Sequence, residues 1–134
     1  MKLLSRNADY AVRALCYIAN EKNKTISVTE LVEKLKIPRP FLRKILQTLN
    51  RKGILESHKG VGGGFRLAKR PNGISLAEVI EVFQGPIKAE SCFFKKDVCP
   101  NKPSCPLKSK IGAIEDRVYR ELKSINIESI VKGS

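Results

Sequence analysis

The sequence predicts a mainly α-helical fold with one small β-hairpin, which places it in the α+β class. Three observations predict it: capping boxes that pair Ser27 with Glu30 and Ser75 with Glu78, apolar residues at helical spacing in several segments, and a glycine-rich run at 60–64 between two short extended stretches. The length of 134 residues corresponds to one ordinary domain. A composition of 42% apolar and 29% charged residues is typical of a globular chain.

Two helices are predicted before the first proline. Residues 8–20 are rich in Ala and Leu, and Asn7 is the expected N-cap. The first capping box opens a short helix over 28–36. Pro38 ends this helix, because proline lacks the backbone N–H that a helix interior needs.

A third helix is predicted over 39–52, and Gly53 is its natural stop. Its apolar stripe is formed by Leu42, Ile45, Leu46 and Leu49. A different, polar face carries Arg39, Arg43, Gln47 and Asn50. The helix is therefore expected to bury one side and present the other to solvent or to a ligand.

The second half of the chain follows the same rules. Residues 54–58 and 65–68 are predicted to pair as a short hairpin. The second capping box starts a helix that ends near Gln84, residues 87–105 are predicted as an irregular loop, and residues 106–123 as a long helix. The apolar stripe of the long helix consists of Leu107, Ile111, Ile114, Val118 and Leu122.

Two short helices with a tight break, followed by a hairpin, give the order of elements in a winged helix-turn-helix domain. In that arrangement the second helix, here 39–52, enters the major groove of duplex DNA. Arg39, Arg43 and Gln47 are the candidate base readers, because Arg and Gln pair bidentately with guanine and adenine edges. The alternative for each of them taken singly is a solvated surface charge.

Other residues are better suited to phosphates. Lys44 and Arg51 border the reading face, and Lys59 and Arg66 flank the hairpin tip. Glycines at that tip permit positive φ and close approach, so that exposed amides can cradle a phosphate; the alternative is a mobile turn that contacts nothing. The full predicted DNA-binding set is Arg39, Pro40, Arg43, Lys44, Gln47, Arg51, Lys59, Gly62, Gly63 and Arg66.

The distribution of charge also favours a polyanionic partner. Of the net charge of +13, residues 1–70 carry +11, from 16 Lys and Arg against 5 Asp and Glu, whereas residues 71–134 carry +2. A charge needed only for solubility has no reason to be so asymmetric. We therefore expect a DNA-binding domain at 1–84, a cysteine-bearing loop at 85–105, and a long helix with a short amphipathic tail at 106–134.

Other classes of protein find little support. No apolar run approaches the roughly 18 residues of a membrane span. The first residues soon reach Asn7 and Asp9, so they lack the apolar core of a signal peptide, and a cytoplasmic protein without a membrane partner is expected. With one histidine and no Ser-His-Asp arrangement, Walker loop or paired catalytic carboxylates, the chain is not expected to be an enzyme.

Three of the four cysteines, Cys92, Cys99 and Cys105, lie within 14 residues. Clustered cysteines in a cytosolic protein are more often metal-binding or redox-active than disulfide-bonded. Their spacing is neither that of a zinc ribbon nor that of a bacterial ferredoxin, but three thiolates on one loop can ligate an iron–sulfur cluster. The alternatives are idle thiols, a disulfide, or a core position for Cys92, while Cys16 in the first helix is predicted to be structural.

Five features also occur, in the same order, in a known group of proteins. They are DYAVRAL at 9–15, PRPFLRKILQTL at 38–49, GVGGGFRLAK at 60–69, ISLAEVIEVFQGP at 74–86, and the three-cysteine loop. With these features the chain resembles, over nearly its whole length, the bacterial Rrf-type transcriptional regulators that include the IscR-like and NsrR-like iron–sulfur repressors. The wing motif and the cysteine loop are the most specific parts of the resemblance.

The resemblance implies a homodimer that binds a partly palindromic operator and senses nitric oxide, redox or iron–sulfur status. It implies that Cys92, Cys99 and Cys105 hold a [4Fe–4S] or [2Fe–2S] cluster, and that the long helices of two subunits cross. The apolar stripe of the long helix fits that role, and packing within the chain is the alternative.

The resemblance also bears on the fourth cluster ligand. IscR-like members carry a histidine three residues after the last cysteine, where this chain has Lys108, a poor ligand while protonated. NsrR-like members use an N-terminal aspartate of the other subunit, and Asp9 matches that position. The chain therefore leans toward the NsrR-like arrangement, unless Asp9 is simply an acid favoured by the helix dipole.

Three other functions stay open at this point. One is a cluster-free winged-helix regulator that responds to a metabolite or a partner protein. Another is a zinc-stabilised DNA-binding module. The last is a small redox enzyme or electron carrier, which would need neither the basic N-terminal half nor the wing.

Overall fold

The computed structural model describes residues 3–21, 24–87 and 106–133. Helices dominate these residues, and two strands pair as an antiparallel hairpin, as predicted. The helices are α1 (Arg6–Asn20), α2 (Val28–Leu35), α3 (Arg39–Arg51), α4 (Leu76–Gln84), α5 (Pro106–Ser124) and α6 (Ile127–Lys132). The strands are β1 (Leu55–His58) and β2 (Gly64–Leu67), and a 3₁₀ turn spans Pro71–Gly73.

The start of α1 differs from the prediction. The helix begins at Arg6, and its N-cap is Ser5, whose hydroxyl accepts a hydrogen bond from the Ala8 amide at 3.2 Å. Ser5 has the extended backbone that an N-cap needs, so the predicted cap, Asn7, lies inside the first turn. The choice of Asn7 was therefore wrong.

The two predicted capping boxes are confirmed in their serine halves. Ser27 accepts a hydrogen bond from the Glu30 amide, and Ser75 accepts one from the Glu78 amide, each at 3.1 Å. The two glutamate side chains instead reach other elements. Glu30 accepts from the hydroxyl of Tyr17 in α1, and Glu78 accepts from the ammonium of Lys69. Glu30 thus links α2 to α1, and Glu78 links α4 to the segment that follows β2.

One core holds the N-terminal half together. The apolar stripe predicted for α3 is buried there, and it packs with Leu15 of α1, Leu31 of α2 and Leu55 of β1. Cys16 is half-buried against the same core, and burial raises the pKa of its thiol. This environment agrees with the structural role predicted for Cys16.

Helix α6 completes this core from the far end of the described residues. Ile127 is fully buried in it, and two backbone hydrogen bonds fix the approach, from the Leu76 amide to Ile125 at 2.7 Å and from the Ile127 amide to Ile74 at 3.0 Å. Asn126 and Ser129 form a full capping box at the start of the helix. The sequence indicated only a short amphipathic tail here, and the domain boundaries given above stay a prediction.

A second, smaller cluster attaches α5. Leu122 of α5 packs there against Ala8 of α1 and Ile80 of α4, with Val118 partly buried beside them. The rest of the predicted stripe lies on the surface, where the side chains of Leu107, Ile111 and Ile114 are 69%, 46% and 48% exposed. Helix α5 therefore packs within the chain at one end and presents an apolar row at the other.

The predicted loop at 87–105 falls almost wholly on residues outside the described ranges, and so do Cys92, Cys99 and Cys105. Within the described ranges, no helix combines the length and the apolar character that crossing a membrane requires.

Candidate nucleic-acid interface

The solvent side of α3 is strongly basic. Because Leu42, Ile45, Leu46 and Leu49 face the core, the opposite side of the helix points to solvent. Arg43, Lys44, Gln47 and Arg51 are all exposed there, as is Pro40 in the first turn. Four of the side chains predicted to bind DNA therefore share one accessible surface with hydrogen-bond donors and positive charge.

Arg39 has a more restricted position than the sequence indicated. Its guanidinium donates a hydrogen bond to the hydroxyl of Thr29 in α2 at 3.1 Å. Helices α2 and α3 are thus joined at the point where the reading helix begins. Arg39 is exposed beside the other predicted readers, but its guanidinium also contacts α2.

The hairpin places charged side chains on its outer face. Glu56 is paired in register with Arg66, and Ser57 with Phe65. The Glu56 carboxylate lies 3.7 Å from the Arg66 guanidinium and 3.5 Å from Nε2 of His58. Arg66 is therefore weakly ion-paired with Glu56 on the exposed face, whereas Phe65 and Leu67 pack on the core side.

The tip of the hairpin needs glycine for two separate reasons. Gly60 and Gly62 adopt φ values of +96° and +76°, which side chains disfavour. Gly63 lies so close to the His58 carbonyl that a Cβ would collide with it. Lys59 and Val61 are exposed at this tip. The predicted residues Lys59, Gly62 and Gly63 thus form one accessible turn.

The hairpin is fixed to the helices by a backbone bridge that the sequence did not indicate. Ile26 and Phe65 exchange two backbone hydrogen bonds, each 2.8 Å long. Gly64 packs against this bridge with no room for a side chain, since a Cβ would collide with the Ile26 carbonyl. The position of the hairpin relative to α2 and α3 is thereby set by the chain just before α2.

A hydrogen bond also joins α1 to α2, the helix that Arg39 of α3 contacts. The Tyr17 hydroxyl donates to the Glu30 carboxylate at 2.6 Å. This bond, followed by burial and the negative charge of Glu30, raises the pKa of Tyr17 to about 12. The sequence does contain both partners, a tyrosine in α1 and a glutamate three residues after the N-cap of α2. Their spacing does not show that these two helices meet, so the hydrogen bond could not be predicted.

We expect this bond to make stability depend on pH in the alkaline range. The pKa of Tyr17 is about 12 in the folded chain and 10.0 ordinarily. A raised pKa means that the protonated form stabilises the fold, so its contribution is complete below about pH 10 and disappears as the pH rises to about 12. Urea midpoints measured between pH 9 and pH 12 should fall less steeply for Tyr17→Phe than for the wild-type protein. Equal slopes would contradict this expectation, whatever the other tyrosines and lysines contribute to both.

The candidate cluster ligands are described only in part. Asp9 lies in the first turn of α1, is 38% exposed, and accepts a hydrogen bond from Arg13 at 3.0 Å. The three cysteines lie outside the described ranges, and the described ranges themselves contain no group of three or more His, Cys, Asp or Glu side chains placed to hold a metal ion. Lys108 is exposed at the start of α5.

Comparison with protein families gives a match over almost the whole chain. A model of the Rrf2 family, described as iron-dependent transcriptional regulator, matches residues 4–133. An HTH-type transcriptional regulator of Aquifex aeolicus is 35% identical over 132 residues, covering 98% of this chain and 87% of that protein. The HTH-type transcriptional regulator NsrR of Shouchella clausii is 29% identical over 130 residues, covering 96% of this chain and 87% of that protein.

Solved structures share the architecture. CymR, the global cysteine regulator of B. subtilis, superposes with a TM-score of 0.83 at 21% identity, covering 100% of this chain and 99% of its own. IscR of T. potens superposes with a TM-score of 0.76 at 22% identity, covering 98% and 87%. At these identities the likeness shows the fold, and it agrees with the predicted order of helices and wing.

Proposed function

The chain belongs to the Rrf2 family of transcriptional regulators, and from this premise we propose that it is a homodimeric repressor whose α3 helices and wings bind a partly palindromic operator. As a member of this family it is a regulator and not an enzyme. The observation that carries the proposal is the exposed basic row on α3. A hydrogen bond from Arg39 joins this helix to α2, and the wing is bridged through Phe65 to Ile26, just before α2. Because its proposed ligand is duplex DNA, we expect the protein to act in the cytoplasm.

The side chains divide into readers and anchors. We assign Arg43 and Gln47 to base edges in the major groove, because both are exposed on α3 and can form bidentate pairs. Lys44, Arg51 and Lys59 are assigned to phosphates, which position the protein without reading sequence. Arg66 joins them only if a phosphate replaces Glu56 as its partner.

Substitution of Arg43 tests the reading face. We expect Arg43→Ala to weaken operator binding by about 1–3 kcal/mol and to relax the preference at one base pair of each half-site. Arg120→Ala is the matched control, because it removes an equal, exposed charge from α5. Fluorescence anisotropy over a salt series measures both. Equal affinities for the two variants, or binding by the wild-type protein that does not depend on salt, would count against the proposal.

The exposed row on α5 supports a homodimer. Leu107, Ile111 and Ile114 form an apolar row that the described parts of the chain leave exposed. A two-fold axis places the same patch of two subunits in contact, so one row is enough to build the interface. Two subunits would then present two α3 helices to successive major grooves, as a palindromic operator requires.

We further propose that Cys92, Cys99 and Cys105 hold an iron–sulfur cluster with Asp9 of the partner chain as the fourth ligand. The donor set fits, because thiolates are the usual ligands of such clusters. The described ligand also fits: Asp9 is partly exposed, and its ion pair with Arg13 is of the surface kind that contributes only about 0–1 kcal/mol. Its carboxylate can therefore leave Arg13 at little cost.

The contacts around α1 suggest how this site would act on DNA binding. When bound, the cluster supplies reactivity toward nitric oxide and oxygen and is lost when iron is scarce. Asp9 lies in the first turn of α1. Tyr17 of the same helix donates a hydrogen bond to Glu30 of α2, and Thr29 of α2 accepts one from Arg39 of α3. Release of Asp9 would therefore change the balance between two arrangements of the reading helices, each with its own affinity for the operator.

Iron analysis after anaerobic reconstitution tests the site. We expect Cys99→Ser to lose iron and sulfide, and Asp9→Asn to retain them with an altered absorption spectrum or faster loss in air. Arg13→Ala is the control for Asp9, because it breaks the same ion pair and leaves the carboxylate in place. A wild-type protein with no iron and sulfide would remove the cluster from the proposal, and stoichiometric zinc would replace it with a structural zinc site.

A further inference from the structure

Phe41 is a large apolar side chain on an otherwise charged surface. It lies in the first turn of α3 and is 47% exposed. The core side of the helix is already filled by the four buried residues of the apolar stripe. Packing therefore leaves about half of this residue in contact with water, one helical turn from the exposed Lys44.

The surroundings of Phe41 do not suit a contact with another protein. The apolar row on α5 extends over two helical turns, as an interface between subunits requires. Phe41 is instead a single apolar group one helical turn from the positive charge of Lys44, which suits a polyanionic partner with a small apolar feature. Duplex DNA has this chemistry, since the C5 methyl of thymine is the apolar group that the major groove presents.

We propose that Phe41 contacts the C5 methyl of one thymine in each operator half-site and so determines the preference for thymine there. This inference rests on the DNA-binding function proposed above. The place of Phe41 suits the contact, because the N-terminal residues of a reading helix are those that meet base edges. An apolar side chain in the first turn of α3 also adds a preference that no hydrogen-bonding reader supplies.

The test removes the methyl group alone. Duplexes enriched by the wild-type protein from a randomised pool are resynthesised with deoxyuridine in place of one thymine at a time, which preserves every hydrogen-bonding group of the base pair. At one symmetric pair of positions we expect binding to weaken about fourfold per half-site, which corresponds to the burial of one methyl group. Phe41→Ala should bind the thymine and deoxyuridine duplexes equally at that position.

Two further variants give the comparison its controls. Gln47→Ala should weaken binding but keep the difference between thymine and deoxyuridine at the position assigned to Phe41. Phe41→Leu retains an apolar side chain and should keep part of that difference, and it also serves if Phe41→Ala does not fold. A methyl effect of the same size in Phe41→Ala and in wild type, or no sensitive thymine at all, would overturn the inference and leave the DNA-binding function standing. If the wild-type protein enriches no sequence, both fail together.

Discussion

Gly64→Ala is expected to be among the most damaging single substitutions in the DNA-binding half. A Cβ at this position would collide with the Ile26 carbonyl, and the φ of +153° is one that side chains rarely adopt. Backbone atoms on both sides cannot move without breaking the two hydrogen bonds between Ile26 and Phe65. We expect the free energy of unfolding to fall by about 3 kcal/mol, within the range for strained backbone and lost buried hydrogen bonds.

Operator binding should fall with it, because the hairpin loses its fixed position beside α3. A loss on the order of tenfold or more corresponds to about 1.4 kcal/mol of wing contacts. Gly73→Ala is the matched control, since that glycine has open space around its Cβ position and no positive φ. Chemical denaturation and anisotropy measure the two effects separately. A Gly64→Ala protein as stable as Gly73→Ala would show that the bridge at Ile26 does not fix the hairpin.

The double variant Ile111→Glu with Ile114→Glu is expected to separate the subunits. Both side chains belong to the exposed apolar row of α5, where the proposed interface would bury them. Two carboxylates in each row would face their copies across the two-fold axis without partners, which is costly in a desolvated contact. Because two linked half-sites bind far more tightly than one, operator affinity should fall by a factor of about 10²–10⁴.

The control for this variant places the same charges elsewhere on the same helix. Ser109 and Ala113 are exposed and lie four residues apart, on another side of α5. Ser109→Glu with Ala113→Glu should remain dimeric by light scattering and should lose only the affinity that added negative charge removes. If the variant at Ile111 and Ile114 also remains a dimer, the row on α5 is not the interface.

Local features of the fold could be predicted because each depends on residues close in the chain. The buried side of α3 follows from its apolar stripe, which consists of Leu42, Ile45, Leu46 and Leu49. The starts of α2 and α4 follow from their N-caps, Ser27 and Ser75. The error at Asn7 is also local in origin, because Ser5 and Asn7 are both good N-caps, and only the observed extended backbone of Ser5 decides between them.

Contacts between distant elements could not be predicted in this way. The bond from Tyr17 to Glu30, the bond from Arg39 to Thr29 and the burial of Ile127 depend on how helices pack, which helical periodicity does not specify. For the candidate interface, the sequence supplied the exposed basic residues, and the structure added the contacts that orient α3 and the wing. The assignment of individual residues to DNA, and of Cys92, Cys99, Cys105 and Asp9 to a cluster, remains a prediction.

The docking of α6 on the core has a consequence for how the protein is made. Ile127 fills a site among residues that are synthesised long before it, its amide donates to the Ile74 carbonyl, and the Leu76 amide donates to the carbonyl of Ile125. A nascent chain that has displayed α1 to β2 outside the ribosome therefore still lacks the helix that completes the core against α1. We therefore expect the DNA-binding half to gain its full stability after α6 has been synthesised, so that a prematurely terminated chain would compete poorly for the operator with the finished regulator.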